Sequence, residues 1–565
     1  MMKRTAFFFL LHLIFISSPA QQISKADEQW VDSIMKANYS EKEPGAVILI
    51  AKNGRSLFKK AYGLASLELN SPQAPGNVFQ IASISKQFTA VCILQLAQQG
   101  KLNLKDDIRK YIPGYNSHGR TITIENLLYQ TSGIPSLTEL QYYEPNRTLF
   151  QTRRELLNSF MNDSLLFEPG SDWSYSNSNY AVVAIIIENV SGLSIGQYYK
   201  KYIFDPLEMQ HSCLETTDSI ISNKPNGYTN ANYGGYKPAA IEDCSWSIGS
   251  SGICTTVDDL LKWDNALYIE KVLKQEWLSK AWKALTLPDG RSTNYGFGWG
   301  LCNYEGLQII EHGGGAFGFL STALRVPSQQ LYIVILSNNE TSNPYAIGEK
   351  LVLHFSGQAL VTPPKLYVDK KQLRQYVGVY RIHRIGARVA TNFTNDELFR
   401  SVTIQNDTLY SQTPGSFKEM LTCIGKDLFR FENGIRLRFN RSKNGNIESL
   451  ETWFDPLTHG PTELEVKTSL PLPKQKIAVP IDAKILELYK GKYTIEQGYF
   501  MEISMHENKL YLNGDGDNKE ELFAENETTF FLKSRDVKLE FVKTGGKVTG
   551  FVLSEGMKTI GKKMN

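Results

Sequence analysis

The chain has 565 residues, of which 42% are hydrophobic and 21% charged, and these proportions exclude a disordered or collagen-like chain. Its 61 Lys and Arg residues against 58 Asp and Glu residues leave a formal charge of only +3, without long blocks of like charge. Nucleic acid and anionic membrane surfaces are therefore poor candidates as partners.

The first 20 residues are predicted to be a secretory signal peptide. The basic pair Lys3-Arg4 precedes an apolar stretch over residues 6–16 and a small-residue cleavage site at Ser18-Pro19-Ala20. The apolar stretch is too short to span a bilayer, and no cysteine follows the cleavage site to carry a lipid. We expect the mature protein to begin near Gln21 and to be secreted or periplasmic, with no integral membrane segment.

Residues 21–360 are predicted to form one mixed α/β domain. Short apolar runs at 46–51 and 57–62 flank Asn53-Gly54, the strongest short-range hairpin signal, and strand-like runs recur at 307–311, 319–326 and 331–336. If these runs form one antiparallel five-stranded sheet, the two ends of the domain must meet in space. The helices between them would then pack as a separate layer or helical subdomain.

Two helices are predicted in the middle of this domain, at residues 83–99 before Gly100 and at residues 178–190 before Gly192. Residues 181–187 are apolar on every side. Such a helix is expected in the interior of the domain, because it is too short to cross a membrane.

The start of the first helix carries Ser83 and Lys86, which are three residues apart and therefore share one helix face. A serine hydroxyl becomes a good nucleophile when a neighbour takes its proton, and a lysine can do so when its pKa is lowered by burial or positive charge. The S-x-x-K pattern also arises by chance, so by itself it is compatible with an exposed helix surface.

Tyr175 and Asn177 follow a Pro169-Gly170 turn and come just before the buried helix. A phenol placed there can relay a proton, and an amide can hold a substrate carbonyl. The alternative is a tyrosine that simply packs over the turn.

His312 and three following glycines lie at the end of a predicted strand. Glycines allow a substrate backbone to approach closely, and a strand edge of this kind is a good place for an oxyanion donor. A bulge or a flexible turn is the alternative interpretation.

The remaining third of the chain is predicted to form two small β-modules, at residues 361–470 and 471–565. A weak repeat supports this division, since Tyr376-Val-Gly-Val-Tyr380 is similar to Tyr489-Lys-Gly-Lys-Tyr493. Pro363-Pro364 and the proline-rich residues 469–480 would be the linkers. The alternative is a single larger barrel built from both halves.

The six cysteines are too sparse for a disulfide framework. Cys213 with Cys244 is the one pairing worth considering, against the simpler interpretation that all are small buried hydrophobes.

Together, Ser83-x-x-Lys86, Tyr175-x-Asn177 and His312-x-Gly314 resemble, in this order and spacing, the three motifs of the penicillin-recognising serine hydrolases. These comprise class C β-lactamases, D-alanyl-D-alanine carboxypeptidases and related esterases and D-aminopeptidases. Segments at 127–135, 250–259 and 295–300 are also similar to that family, and the resemblance covers about residues 30–355.

This resemblance implies that Ser83 is acylated by a carbonyl substrate, that Lys86 and Tyr175 share the acid and base work, and that water releases the acyl group. The oxyanion hole would be formed by the backbone amides of Ser83 and Gly315. The substrate would be bound by Asn177, His312 and Gly314. The resemblance implies neither a metal ion nor another cofactor.

The third motif departs from the β-lactam-handling members, which usually have Lys-Thr-Gly or Lys-Ser-Gly where this chain has His312-Gly313-Gly314. A permanent charge and a hydroxyl donor are missing, so we expect a peptidase or esterase acting on a small molecule or peptide rather than an efficient β-lactamase. The β-modules resemble the lipocalin-like additions of peptidase relatives, and they could cap the active site or build a homo-oligomer. The alternative function is a non-catalytic sensor or binding protein for cell-wall peptides.

Overall fold

A computed structural model describes residues 23–564, apart from the internal ranges 232–234, 305, 359–363, 385–398, 414–415, 433–434, 454–462, 475, 497–498, 514–518 and 555–557. The predicted signal peptide and the expected mature start at Gln21 lie outside the described residues.

The first domain is built on one antiparallel sheet. Its strands are β1 (Ala46–Lys52), β2 (Arg55–Tyr62), β3 (Gly300–Tyr304), β4 (Leu307–Ala316), β5 (Phe319–Val326) and β6 (Leu331–Ser337), in the spatial order β3-β4-β5-β6-β1-β2. β1 pairs with β6 from Ala46 opposite Ser337 to Lys52 opposite Leu331. The two ends of the domain therefore meet, as predicted. The number of strands was predicted wrongly, since the sheet has six strands instead of five.

Alternation along β1 divides the core between the two faces of the sheet. Ala46, Ile48 and Ile50 pack with the terminal helices α1 (Lys25–Asn38) and α4 (Pro344–Phe355). The residues between them on β1 face the helical layer that contains α2 (Ser85–Gln98) and α3 (Asn177–Ser191).

The remaining elements of this domain are short. They are the helices Ile124–Leu128, Tyr143–Asn146, Arg153–Asn158, Ile195–Tyr199, Val257–Ala266 and Gln275–Ala281, the π-helical turn Lys200–Phe204, the 3₁₀ turns Ala82–Ile84, Ile108–Lys110, Leu137–Glu139, Cys244–Ser247 and Pro327–Gln329, and the strands Leu64–Ser66, Ser71–Pro72, Phe79–Gln80, Cys213–Leu214, Tyr228–Asn230, Tyr236–Pro238 and Ile253–Thr255.

α3 carries the apolar run and is buried within the domain, as predicted, from Ser178 to Ile187. It ends at Gly192, which takes the left-handed conformation that favours glycine, with φ of 71°. In the described part of the chain, no single helix is long and apolar enough to cross a membrane. α3 and the following helical segment, Ile195–Phe204, meet that criterion only as a pair bent by 75°.

The tail contains two closed eight-stranded antiparallel barrels. The alternative of a single larger barrel is therefore wrong. The strands of the first barrel are Gly378–Arg384, Phe399–Gln405, Thr408–Gln412, Glu419–Gly425, Leu428–Arg430, Arg436–Arg441, Ile447–Trp453 and Glu463–Lys467. Those of the second are Gly491–Glu496, Tyr499–His506, Lys509–Asn513, Lys519–Ala524, Thr529–Phe531, Lys538–Thr544, Lys547–Ser554 and Lys558–Lys563. One short helix precedes each barrel, Lys370–Tyr376 and Ala483–Glu487.

The repeat seen in the sequence has a structural counterpart. The hydroxyl of Tyr380 donates to the carbonyl of Tyr376 at 2.6 Å, and the hydroxyl of Tyr493 donates to the carbonyl of Tyr489 at 2.7 Å. In each barrel, a tyrosine of the first strand therefore bonds to a tyrosine at the end of the preceding helix or two residues after it.

The interior of the first barrel contains a buried ion pair. Arg400 lies 2.8 Å from Glu465, and their side chains are 7% and 0% exposed. Ser411 accepts a hydrogen bond from Arg400, and Thr452 donates to Glu465. These hydrogen bonds offset part of the free energy that is lost when both charged side chains are removed from water.

Candidate active site

Ser83 lies on a tight turn that connects a short strand to α2. The strand Phe79–Gln80 pairs with Ile253–Thr255, and the chain then enters a 3₁₀ turn at Ala82–Ile84. Ala82 has φ of 46°, in the left-handed region that side chains other than glycine rarely adopt. The structure therefore places Ser83 on the turn that precedes the helix, half-buried between the buried residues Ala82 and Ile84.

Lys86 is fully buried directly behind Ser83. Its Nζ lies 3.0 Å from the Ser83 hydroxyl oxygen, 2.8 Å from Asn177 Oδ1 and 2.8 Å from the carbonyl oxygen of Ser250. Burial lowers the pKa of Lys86 well below its usual value, because the ammonium loses its hydration. Among the described residues no carboxylate forms an ion pair with it.

These contacts fit both protonation forms of the amine. A charged ammonium has three N–H donors, one for each of the three oxygens around Nζ. A neutral amine has two N–H donors and one lone pair. In the neutral form, the oxygens of Asn177 and Ser250 can accept these two N–H groups, which leaves the lone pair for the proton of the Ser83 hydroxyl. The arrangement is thus suited to a serine hydroxyl that donates its proton to a lysine.

Aromatic rings surround the amine. The centroid of the Tyr175 ring lies 4.7 Å from Lys86 Nζ, and that of Tyr180 lies 5.6 Å away. The Tyr175 ring is half-buried and perpendicular to the ring of Tyr295, at a centroid distance of 6.1 Å. The structure thus brings Tyr175 to Lys86, as the sequence predicted.

The loop that holds Tyr175 is fixed by Gln130, a residue that the sequence analysis did not single out. The Oε1 atom of Gln130 accepts hydrogen bonds from Asn179 at 2.6 Å and from the backbone amide of Ser176 at 3.1 Å. Its carbonyl oxygen accepts from the amide of Ser174 at 2.9 Å. Gln130 is completely buried and lies within the 127–135 segment, which had been noted only as a similarity to the family.

The glycines after His312 lie within β4, which continues to Ala316, and not after the end of a strand as predicted. A side chain at Gly314 would place its Cβ atom 2.3 Å from the carbonyl oxygen of Ile81 and 3.1 Å from Cβ of Ala82. The strand therefore packs directly against the turn that carries Ser83. Ser321 of β5 adds a hydrogen bond to this contact, because its hydroxyl donates to the carbonyl of Ile81 at 2.8 Å.

β3 pairs with β4 only as far as Glu311, opposite Gly300. The glycine segment beyond Glu311 is therefore paired with β5 on one side and is not covered by β3 on the other. Gly315 lies in this segment, on the cleft wall near Ser83.

His312 is buried, with 7% of its surface exposed, and both of its ring nitrogens have partners. Nε2 lies 2.9 Å from the hydroxyl of Tyr295, and Nδ1 lies 2.5 Å from the carbonyl of Gly313. A carbonyl can only accept, so Nδ1 carries the proton and Nε2 accepts from Tyr295. Burial and the positive charge of Lys86 lower the pKa of His312 to about 3, so the imidazole is neutral.

This geometry bears on the substrate contacts that were predicted for His312 and Gly314. His312 and Gly314 lie behind the wall of the cleft, because the imidazole is saturated by Tyr295 and Gly313 and because Gly314 is packed on Ile81. His312 instead supports Tyr175, whose ring centroid is 6.1 Å from its own. The roles assigned to the individual site residues remain predictions.

The cleft in front of Ser83 has a volume of about 790 Å³. Asn177, Ser250 and Gly315 lie on its wall together with Ser83. Its other walls are aromatic and acidic, formed in part by Tyr143, Trp246, Phe317, Phe319, Glu144, Glu215, Glu242 and Glu340. A serine, a buried amine and a strand edge thus converge on a space large enough for a small-molecule or peptide substrate.

All six cysteines are free thiols. Cys213 is not bonded to Cys244, the pairing considered from the sequence. It lies opposite Cys254 in the pairing of two short strands.

Comparisons with known proteins agree with this architecture. A family model described as Beta-lactamase matches residues 28–356, more than half of the chain, and a second, described as a domain of unknown function (DUF3471), matches residues 475–565. Protein flp of Staphylococcus aureus (strain MW2) is 30% identical over 370 residues, which are 64% of this chain and 72% of that protein.

Two solved structures show the same fold. The octameric penicillin-binding protein homologue from Pyrococcus abyssi aligns with a TM-score of 0.54 and 21% identity, over 86% of this chain and 98% of that one. A D-stereospecific amidohydrolase from Streptomyces sp. aligns with a TM-score of 0.51 and 23% identity, over 58% of this chain and 98% of that one. The chain therefore belongs to the beta-lactamase family of serine hydrolases.

Proposed function

We propose that this protein hydrolyses amide, peptide or ester bonds through an acyl-enzyme formed on Ser83. The observation that carries the proposal is the 3.0 Å contact between the Ser83 hydroxyl and the buried amine of Lys86. A lysine with a lowered pKa beside a serine is the arrangement that activates a weak hydroxyl nucleophile.

In the proposed reaction, these groups act one after another. Ser83 passes its proton to Lys86 Nζ while its oxygen forms a bond to the substrate carbonyl carbon. The carbonyl oxygen becomes an oxyanion, which the backbone amides of Ser83 and Gly315 would stabilise. When the tetrahedral intermediate breaks down, the leaving amine or alcohol takes a proton that Lys86 received, relayed by Tyr175. Water then attacks the acyl carbon in the same manner and restores the free serine.

The third motif favours an amidase, peptidase or esterase over an efficient β-lactamase. A β-lactam substrate carries a carboxylate, and a cation would bind it best. His312 occupies the corresponding position in the sequence but is neutral and has no ring nitrogen left for a substrate.

Active-site labelling tests the proposal. A fluorophosphonate should modify the purified protein once, at Ser83, and Ser83→Ala should abolish the modification. Ser251→Ala is a matched control, since Ser251 lines the same cleft. Equal labelling of the Ser83→Ala variant would contradict the proposal, and unlabelled wild-type protein that still bound a cell-wall peptide would support a binding protein instead.

We also propose that the protein is exported, on the basis of residues 1–20, and that the barrels contribute to a homo-oligomer. The proposal of assembly is supported by the penicillin-binding protein homologue from Pyrococcus abyssi, which is octameric. Amino-terminal sequencing of the secreted protein should start near Gln21, and light scattering of the full chain should give a mass above 63.8 kDa.

A further inference from the structure

We infer that Glu340 selects substrates that carry a free ammonium group on the acyl side of the bond that is cleaved. This inference rests on the proposed function, because it assigns a substrate class to the Ser83 cleft.

The acidic groups of the cleft wall differ in their partners. Glu215 forms an ion pair with Lys224, and Glu144 forms one with Arg147 at 2.9 Å. Glu242 accepts hydrogen bonds from the hydroxyls of Tyr143 and Ser247. These carboxylates are therefore already compensated by cations or by donors of the protein itself.

Glu340 is different. It lies in the turn between β6 and α4, and its Oε2 atom accepts the backbone amide of Gly318 at 2.5 Å. Within the described residues, no lysine or arginine is paired with it, and no donor reaches its Oε1 atom. Glu340 is half-buried on the cleft wall, so an incoming cation would gain a charge-assisted hydrogen bond there.

The position of Glu340 places this cation on the acyl side. Gly318 follows Gly315 by three residues, so the amides of these two residues are at most about 11 Å apart. Tyr175, which we propose protonates the leaving group, lies at the other end of the glycine segment, against His312. A short acyl group that leads away from Tyr175 would therefore bring its amino group to Glu340.

The described wall of the cleft offers no unpaired cation that could bind a substrate carboxylate. Among the described residues on its wall, Lys224 is the one basic side chain, and it is paired with Glu215. Lys86 is buried behind Ser83, and His312 is neutral. A substrate with a carboxylate on its acyl side would meet Glu340 without a compensating cation, and like charges in a partly buried site repel strongly.

The test compares phenylalanyl p-nitroanilide with its N-acetyl derivative, in both D and L forms. Glu340→Gln should lower kcat/KM for the free amine by about 10- to 100-fold, since a hydrogen bond between charged groups is replaced by one to a neutral amide. The N-acetyl substrate should change by less than about threefold, because it has no charge to lose. The amide oxygen of glutamine can still accept from Gly318, so the substitution preserves the local fold. Glu340→Asp should retain part of the preference, and Glu144→Gln should retain all of it.

Labelling distinguishes a failure of the Glu340 inference from a failure of the proposed function. Fluorophosphonate labelling of Ser83 in Glu340→Gln at the wild-type rate shows that the catalytic machinery is intact, and an unchanged preference in that protein would overturn the inference alone. Failure of the wild-type protein to label would instead contradict the proposed function. If neither anilide is cleaved, protection of Ser83 from labelling is measured: phenylalaninamide should protect better than its N-acetyl form, and equal protection would overturn the inference.

Discussion

The contact between Gly314 and the turn that carries Ser83 allows a direct test of how the site is built. In Gly314→Ala the new methyl group would lie 2.3 Å from the carbonyl oxygen of Ile81 and 2.4 Å from the hydroxyl of Ser321. Ordinary contacts of a carbon atom are about 3.5 Å, so the strand and the turn must separate by about 1 Å.

Two effects follow from this separation. Overpacking of a well-packed interior costs about 1 to 3 kcal/mol of unfolding free energy. A displacement of about 1 Å between catalytic groups costs about 100-fold in turnover. Gly314→Ala should therefore lose more activity than stability, because β4 and the Ser83 turn are the two sides of the proposed oxyanion hole.

Gly313→Ala provides a matched control one residue away. Its methyl group would come no closer than 3.8 Å to the carbonyl of Ser321 and 3.9 Å to Tyr345, which are ordinary contacts. Both variants are compared by kcat/KM on an aryl ester and by urea unfolding. Wild-type turnover in Gly314→Ala, or an equal loss in Gly313→Ala, would refute the close packing of β4 on the Ser83 turn.

Three further predictions follow from buried charges. The rate of fluorophosphonate labelling should rise with pH and reach a plateau at a pH well below 10.5, the usual pKa of lysine, because burial lowers the pKa of Lys86 and the neutral amine is the base. A labelling rate that continues to rise up to pH 10.5 would contradict this prediction. As the pH falls from 6.5 to about 3, the unfolding free energy should decrease by up to a few kcal/mol, because the unfolded state binds a proton at His312 that the folded state does not. His312→Gln should make the unfolding free energy, measured with urea, depend less on pH in this range. In the first barrel, Arg400→Met should destabilise the fold by about 3 to 5 kcal/mol, because it removes the buried cation that lies 2.8 Å from the Glu465 carboxylate. Lys370→Ala, which breaks the exposed pair with Asp407, should cost less than about 1 kcal/mol. Equal costs for these two substitutions, measured by thermal unfolding of the full chain, would show that the buried pair is not a structural element.

The main sheet could be predicted from the sequence because most of its strands are rich in β-branched and aromatic residues with turn signals between them. β3 was missed because Gly300-Leu-Cys-Asn-Tyr304 contains no β-branched residue and begins with a glycine. It is a strand because β4 provides its hydrogen-bonding partners from Leu307 to Glu311. Such tertiary stabilisation is not visible in a local pattern.

The site was also predictable only in part. Ser83, Lys86, Tyr175 and Asn177 were found through their spacing and the family resemblance, and the structure brings them together. The position of His312 was not predictable, because its burial depends on Tyr295, which reaches it through the tertiary fold. Gln130 was not singled out because a glutamine in a loop gives no chemical signal until the backbone amides that it accepts are known.

The most direct measurement is the mass of the protein during turnover. A slowly hydrolysed aryl ester is mixed with the purified enzyme, the reaction is quenched in acid within the steady state, and the intact mass and its peptides are determined. We predict a single added acyl group, located on Ser83 and absent from Ser83→Ala. Steady hydrolysis with no adduct at any quench time, or an adduct on another residue, would contradict the acyl-enzyme on Ser83.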